Sequence, residues 1–288
     1  TTQTEFRRII EARLREIKPN ASKKTIDTYT STLMNVGKNV QIDLRTLEDF
    51  SYFVKPIIEN FNSISYSKRL PKLTALYVLT DLPEYHRAML NDWETKIKQT
   101  ESQTYTPEQL KNAITWDEIQ QVHGTLHKQI SKLYKEHDKS GERYSIAEIK
   151  KIQRFIILSV SCLTAPRRNQ DWVHMKIRND DGVNNFIDVT KKEATFRIYK
   201  TSSSYGETTF KWPTKLINVI KNYMSKVNTH SDFLIFKTDA SLPDFKSSDN
   251  ALLESSYVTR LLNQSFTQKN QSIGVNSIRH AFANAKYN

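Results

Sequence analysis

The sequence is poor in cysteine, in glycine and in long apolar runs, and each shortage excludes a class of protein. Its single cysteine, Cys162, cannot form an internal disulfide, so we expect a reducing, intracellular setting. Its six glycines form no phosphate-cradling loop of the kind that dinucleotide-binding folds need. No apolar stretch is long enough to cross a bilayer. The full sequence contains 38% hydrophobic and 26% charged residues, a composition typical of globular proteins that bury a core.

Positive charge is the most pronounced feature of the composition. The 288 residues include 43 lysines and arginines against 31 aspartates and glutamates, a formal net charge of +12. The surplus is spread along the chain, so the folded body itself should be positive. Nucleic acid is the first partner that such a body indicates, and an anionic membrane surface is the second. A basic globular protein with neither partner is the plain alternative.

Helical periodicity dominates the first hundred residues. Apolar residues recur at helical spacing in four segments, which are 4–17, 20–36, 44–61 and 66–79. Basic residues stand near the starts of these segments, where lysine side chains and backbone amides suit phosphate contacts. The candidates for such contacts are Lys23, Lys24, Lys68, Arg69 and Lys72. We therefore predict a helical domain over residues 1–98.

A polar segment separates this helical region from a second region of mixed structure. Residues 99–114 have almost no apolar periodicity, which predicts a linker. Beyond it, "TWDE" and "SIAE" have the spacing of helix capping boxes. Four β-type runs follow at 173–177, 185–189, 195–199 and 208–212. The sequence thus predicts a mainly α protein with a small antiparallel β-sheet, in which an α+β domain occupies residues 115–288.

Three short motifs of the second region carry basic residues at unusual positions. "LTAPRRNQDWVHMKI" (163–177) places two arginines between an apolar helix and a strand, and "RIYKTSSSYGETTFKWP" (197–213) places Lys200 in a hairpin-like turn. "NSIRHAFA" (276–283) places Arg279 at the edge of an apolar stripe. That stripe consists of Ile278, Ala281, Phe282 and Ala285. Each motif also has a purely structural alternative. Arg168 and Asp171 would form an ion pair, Lys200 would be a solvated lysine in a turn, and Arg279 would belong to a structural ion pair.

In their order and spacing, the three motifs resemble those of the tyrosine recombinases of the phage-integrase type. The first box of that family is an arginine, an acidic residue three positions on, and an apolar residue that leads into a strand. This register gives Arg168, Asp171 and Met175. Arg167 fits less well, because the residue three positions after it is Gln170.

The other two motifs and the N-terminal region extend the resemblance over most of the chain. Lys200 is similar to the family's hairpin lysine, and "RHAFA" from Arg279 is similar to the box of its second catalytic arginine. "SKKTIDTY" resembles the family's core-binding domain, and "PRRNQDW" looks most like versions from large eukaryotic viruses and their satellite elements. The resemblance implies a core-binding domain and a catalytic domain that clamp duplex DNA.

The resemblance also implies a chemistry. A tyrosine attacks a DNA phosphodiester and forms a 3′-phosphotyrosine link, which preserves the bond energy for rejoining. Arg168 and Arg279 would hold the non-bridging oxygens through fork-shaped hydrogen bonds, and their charge is permanent. Lys200 would donate a proton to the departing 5′ oxygen as a general acid. This chemistry needs no metal and no cofactor.

One position departs from the family pattern. Asn276 stands where the family usually has histidine, three residues before Arg279. Asparagine can donate a hydrogen bond to a phosphate oxygen, but it cannot shuttle a proton near neutral pH. The structural alternative is that Asn276 caps a helix that begins at Ser277. His280 follows the arginine directly, and the resemblance gives it a supporting role in the fold.

The resemblance places the nucleophilic tyrosine a few tens of residues after Arg279. Tyr287 is eight positions after that arginine, about 12 Å along a continuous helix, which is too far from the phosphate. Tyr205 and Tyr257 precede the box. We therefore expect a piece of a longer protein whose catalytic domain lacks its C-terminal end, which binds DNA but forms no covalent adduct.

The sequence is best interpreted as a site-specific recombinase or integrase from a virus or mobile element. Its expected partner is double-stranded DNA, without a membrane, and its place is inside the cell at DNA, in a host nucleus or cytoplasm. A homotetramer on paired sites is expected for the family, and a monomer is possible for a truncated form. Two alternatives stay open: a type IB topoisomerase, which relaxes DNA as a monomer, and a catalytically inactive DNA-binding protein of the same fold.

One further pair of residues has metal-ligand spacing. His123 and His127 in "HGTLH" lie one helical turn apart, as a zinc pair would. The motif lacks the glutamate of the metalloprotease signature and an obvious third ligand. We therefore expect core or surface roles for these histidines and no metal site.

Overall fold

A computed structural model describes residues 2–40, 42–101, 113–238, 253–267 and 273–287. The fold is mainly helical with one small sheet, as the sequence predicts. The chain divides into two compact units, residues 1–105 and 106–288. The division falls within the predicted linker 99–114, most of which lies outside the described residues. No helix in the described ranges is both long and apolar enough to span a membrane.

The N-terminal unit is built from helices packed around one apolar core. Within the described residues these are α1 (Gln3–Ile17), α2 (Lys23–Val40), α3 (Asp49–Tyr52), α4 (Val54–Phe61), α5 (Tyr66–Thr80) and α6 (Pro83–Glu101). Apolar residues at helical spacing on α1, such as Phe6, Ile10 and Leu14, are buried in that core. The predicted segment 44–61 forms two short helices. Pro56 accounts for the break, because it has no N–H to donate and its ring clashes with the carbonyl four residues earlier.

The C-terminal unit is organised around one buried helix. Two long helices open the unit, α7 (Trp116–Ser140) and α8 (Ile146–Leu163), and both start with the capping boxes that the sequence predicts. Helix α8 is buried along most of its length and packs against α7. Three further helices follow the motif region: α11 (Thr214–Lys226), α12 (Ser255–Ser265) and α13 (Val275–Tyr287). Of these, α11 and α12 also pack against α8.

The sheet has four short strands in the order β1-β2-β3-β4. The strands are β1 (Met175–Lys176), β2 (Asn185–Asp188), β3 (Glu193–Phe196) and β4 (Thr208–Lys211). β2, β3 and β4 are antiparallel, but β1 runs parallel to β2, so the sheet is mixed and the prediction of a purely antiparallel sheet is wrong. The chain after β1 bonds to Asp232, and Leu234 bonds back to Met175. Because β1 runs parallel to β2, the residues between these two strands do not form a hairpin.

Two short helices flank the strands and carry the motif residues. Helix α9 (Asn169–Val173) takes up the first part of the predicted run 173–177, so only Met175–Lys176 is strand. Helix α10 (Ser202–Tyr205) lies within the loop that joins β3 to β4. The hairpin predicted around Lys200 is therefore present, with a helical turn at its tip.

Candidate functional site

Arg167 is held in place by a carboxylate and by aromatic rings. Its Nε atom donates a hydrogen bond to Oδ2 of Asp171 at 2.8 Å. The guanidinium carbon lies 3.7 Å from the centre of the Phe196 ring, and the rings of Tyr199 and Phe210 are 5.5 and 5.8 Å away. The ion pair and the ring contacts hold this guanidinium in place. The described contacts thus give Arg167 a structural role.

Arg168, the next residue, is free by comparison. It is exposed and directly precedes α9, and its backbone carbonyl accepts a hydrogen bond from the Asp171 amide. Its side chain makes no hydrogen bond or ion pair with any residue that the structure describes. The alternative of a direct Arg168–Asp171 ion pair is therefore wrong, because Arg167 occupies that carboxylate.

The carboxyl group of Asp171 is influenced by the charges of both predicted arginines. The residue is only 4% exposed, and burial raises the pKa of its carboxyl group, while the positive charges of Arg167, Arg168 and Arg279 act to lower it. Arg168 and Arg279 thus lie close enough to influence one carboxylate although they are far apart in sequence. Only Arg167 pairs with it directly. Among the residues described, the guanidinium groups of Arg168 and Arg279 are therefore not in contact with a negatively charged side chain.

Helix α13 positions Arg279. Ile278 and Ala281 are buried, and the Phe282 ring makes an edge contact with Trp116 at the start of α7, 5.2 Å between ring centres. Ala285 is exposed, so the predicted apolar stripe is shorter by one residue. Arg279 lies at the border of the buried face and is partly exposed.

The beginning of α13 contradicts the structural alternative in which Asn276 caps the helix. The helix begins at Val275, and the amide of Ile278 donates to the carbonyl of Gly274 at 3.3 Å. Asn276 therefore lies inside the first turn, exposed, and is not the residue that caps a helix starting at Ser277. His280 is also exposed, and within the described ranges it has no hydrogen-bond partner that would support the fold.

Lys200 is exposed, on a loop whose base is fixed. The base is fixed by Asn185, which is completely buried. Its Nδ2 donates to the backbone carbonyls of Asp171 (2.8 Å) and Ile198 (2.9 Å). Its Oδ1 accepts from the amides of Arg197 (2.7 Å) and Ile198 (2.8 Å). One side chain thus joins the Lys200 loop to the Asp171 segment.

Sequence reasoning missed Asn185. The available signal is the asparagine that starts the strand run "NFIDV", because asparagine is uncommon in strands. Such a residue is tolerated in a core only when its hydrogen bonds are satisfied. All four hydrogen bonds of the Asn185 side chain are made. This residue therefore connects two segments that carry predicted site residues; we call this connection the Asn185 joint.

The tyrosines that precede the arginine box differ in accessibility. The Tyr257 hydroxyl donates to Oε1 of Gln153 at 3.1 Å, and burial raises its pKa, so it is a poor nucleophile. Tyr205 is 74% exposed at the end of α10. Tyr287 lies on α13, two turns beyond Arg279. These observations do not identify any of the three tyrosines as the nucleophile.

The basic residues predicted to contact phosphate in the N-terminal unit do not all have the same role. Lys23 and Lys24 lie exposed in the first turn of α2, Lys68 is exposed at the start of α5, and Lys72 is partly exposed. Arg69 differs, because its guanidinium donates two hydrogen bonds to Asp92, which is 3% exposed. The prediction for Arg69 is therefore corrected: it is an internal ion-pair partner.

The two histidines of "HGTLH" occupy core and surface positions. His123 is buried, its Nε2 lies 3.0 Å from Oγ of Ser159, and its ring stacks on Phe155. Burial lowers its pKa to about 4, so the ring is neutral at physiological pH. His127 is exposed. In the part of the chain that the structure describes, no three metal-ligating side chains are grouped as a metal site.

Acidification is expected to destabilise the C-terminal unit through His123. Its pKa is about 4 in the folded chain against 6.5 when it is unperturbed, so between these values the unfolded state binds the additional proton. The contribution of neutral His123 to the free energy of unfolding is present above pH 6.5. It is lost as the pH falls to 4, by up to about 3 kcal/mol. Urea unfolding at several pH values measures the loss.

The control for this prediction is a residue that cannot be protonated. His123→Phe keeps a ring against Phe155, and its unfolding free energy should fall less than that of the wild type over the same pH range. His127→Phe removes an exposed histidine and should retain the wild-type slope. Parallel pH profiles for the wild type and His123→Phe would contradict the prediction.

Comparison with known proteins gives no further assignment. No protein-family model matches the chain, and no curated protein matches it. Function is therefore inferred from the residues of the site and from their geometry.

Proposed function

We propose that the chain is a DNA strand-transfer enzyme, a site-specific recombinase or integrase that acts through a 3′-phosphotyrosine intermediate. The observation that carries the proposal is the convergence of Arg168 and Arg279 at Asp171. Neither guanidinium is paired with a described residue, whereas the adjacent Arg167 is paired with Asp171 and lies over the Phe196 ring. A fold that gathers unneutralised positive charge from distant segments has the property that an anion site requires.

A DNA phosphodiester suits this site. Its two non-bridging oxygens accept fork-shaped hydrogen bonds, and in the transition state of phosphoryl transfer they carry additional negative charge. Two arginines stay charged at any physiological pH, so the stabilisation needs no proton transfer. In this proposal Arg168 and Arg279 hold the phosphate. Asp171 and Arg167 support them from the buried side.

Lys200 is the proposed general acid. An exposed lysine on a loop can approach the 5′ oxygen that leaves when the phosphodiester is cleaved, and it can donate a proton to that oxygen. The Asn185 joint holds the base of this loop against the Asp171 segment, while the Lys200 side chain has no described partner. Asn276, exposed in the first turn of α13, would add one hydrogen bond to the phosphate and no proton.

Double-stranded DNA is the proposed partner. The net charge of +12 supports it, as do the exposed lysines at helix starts in the N-terminal unit, namely Lys23, Lys24 and Lys68. Lys72 is a weaker candidate because it is partly covered. In the cell the protein would act at DNA, as a homotetramer on paired sites.

The first test is the salt dependence of DNA binding. Because each neutralised phosphate releases a counterion, each phosphate contact adds about 0.9 to the slope of log K against log salt concentration. We expect a steep slope of several units for a 30-base-pair duplex, measured by fluorescence anisotropy between low and moderate salt. A slope near zero would contradict the proposal. Uncharged carbohydrate polymer, added in place of salt, should leave the affinity unchanged.

A catalytically inactive DNA-binding protein is the second candidate. Asn276 favours it, because an asparagine at this position cannot act as a base. A covalent protein–DNA adduct on a nicked suicide substrate would exclude this second candidate, since simple binding leaves none. Relaxation of supercoiled DNA by a monomer, without paired sites, would instead indicate a topoisomerase.

A further inference from the structure

The exposed side of α7 carries four lysines in one row. These are Lys128, Lys132, Lys135 and Lys139, all exposed. Their spacing of four, three and four residues places them within about 60° of one another around the helix axis, over about 17 Å of its length. We call this row the lysine ridge.

The ridge is barely neutralised. Lys132 faces Glu136 at 3.7 Å, but both side chains are largely exposed, so this pair is weak. Lys128, Lys135 and Lys139 make no hydrogen bond or ion pair with a described residue. A solvated helix face usually alternates glutamate and lysine at a spacing of four residues. Four lysines along one line, of which Lys132 alone pairs with a described carboxylate, depart from that pattern.

The ridge is rigid and lies away from the arginine site. On the opposite side of α7, Ile119, Ile130 and Tyr134 are buried in the core, which fixes the helix. Trp116 at its first turn contacts the helix that carries Arg279. Lys128 is twelve residues further on, about 18 Å along the axis, and Lys139 is about 35 Å along. The ridge is therefore a second, separate line of positive charge.

We infer that the lysine ridge binds the phosphate backbone of duplex DNA at a distance from the reacting phosphate, which rests on the proposed function. A duplex carries one negative charge for about every 1.7 Å of its axis, so 17 Å presents about ten charges to four lysines. Ammonium groups on flexible stems reach phosphates without sequence preference. An anionic membrane fits less well, since membrane-surface helices bury an apolar face in the lipid. The apolar face of α7 is already buried in the protein.

The test is the replacement of all four ridge lysines by glutamine. We expect the slope of log K against log salt to fall by up to about 3.6, which is 0.9 for each lost contact, and the affinity at moderate salt to fall with it. A variant with four arginines at the same positions should keep the wild-type slope. The matched control replaces four exposed lysines elsewhere, Lys38, Lys55, Lys98 and Lys237, by glutamine. It removes the same net charge, and its slope should change by less than one unit.

Each outcome distinguishes the ridge from the proposed function. If the wild type binds DNA and both glutamine variants have the same slope, the ridge inference is wrong and the proposed function stands. If the wild type shows no salt-dependent DNA binding, both are wrong. Binding to phosphatidylserine vesicles that requires the ridge, without DNA binding, would make the ridge a lipid contact and would overturn the inference. Far-UV circular dichroism and thermal unfolding confirm that each variant is folded.

The ridge and the arginine site should also act independently. Combining the four glutamines with Arg168→Ala and Arg279→Ala should reduce the salt slope by the sum of the separate changes, because the two sites contact different phosphates. A combined change clearly smaller than the sum of the two separately measured changes would mean that the two sites share phosphates. That result would overturn the inference.

Discussion

Replacing Arg168 or Arg279 by alanine is expected to lower the rate of DNA strand cleavage by about 10²–10³-fold. In the proposed site each guanidinium stabilises charge that grows on the non-bridging oxygens as the transition state forms. The loss should therefore appear mainly in the rate of cleavage and less in the affinity for DNA. Single-turnover cleavage of a nicked suicide substrate measures this rate, in a form of the protein that carries a nucleophilic tyrosine.

Substitutions of Asn276 and a conservative substitution of Arg168 provide reference rates for this result. Asn276→Ala removes one neutral hydrogen-bond donor and should cost less than either arginine, and Asn276→His should cost nothing. Arg168→Lys keeps the charge but loses the fork geometry, so its rate should lie between those of the wild type and Arg168→Ala. Normal cleavage by either alanine variant would refute the assignment of that arginine.

The second large effect is expected on stability. Arg69→Ala should lower the free energy of unfolding of the N-terminal unit by about 3–5 kcal/mol, because it leaves a buried carboxylate without its partner. Asp92 is 3% exposed, and Arg69 donates to it from Nε at 2.7 Å and again from its terminal nitrogen. Urea unfolding of the full chain, followed by the far-UV signal, measures the change.

Neighbouring and compensating variants identify the cause. Lys68→Ala, at the next residue and exposed, should change the unfolding free energy by less than about 0.5 kcal/mol. The double variant Arg69→Met, Asp92→Leu replaces the ion pair by apolar side chains and should recover most of the stability. If Arg69→Ala unfolds like the wild type and instead binds DNA more weakly, Arg69 is a phosphate contact after all.

Local signals in the sequence predict the helices well. The capping boxes at Thr115 and Ser145 start α7 and α8 where they are predicted, because a cap depends on side chains only three residues apart. The periodic segment 4–17 forms α1 for a similar reason. These elements depend little on what the rest of the chain does.

Features that depend on distant partners are not predicted. The direction of β1 is set by its contact with residues near Asp232, more than fifty positions away. Arg69 resembles any basic residue at a helix start, since its partner Asp92 is 23 positions further on. In both cases the sequence gives the residue and its local element, and tertiary packing decides the role.

The same distinction between local signals and distant partners applies to the candidate site. The choice of Arg168 over Arg167 follows from spacing alone, and the structure adds the physical difference between an exposed side chain and one held by Asp171 and Phe196. The asparagine in "NFIDV" is unusual by residue type, but its role is not predicted, because its four hydrogen bonds are all to backbone groups, which no sequence pattern identifies. The catalytic role of the site stays a prediction.

The central position of α8 has a consequence for synthesis on the ribosome. The helix ends at Leu163, but α12, which packs against it, begins only at Ser255. At about 5–20 residues per second the nascent chain needs about 5–20 s to add that stretch, and until then an apolar surface of α8 is open to chaperones and to other chains. Arg279 emerges later still, so a ribosome-bound chain carries Arg168 alone and acquires both arginines of the proposed phosphate site only when α13 docks. Slower translation lengthens this interval, so we expect co-expressed chaperones that bind apolar segments to raise the yield of folded protein.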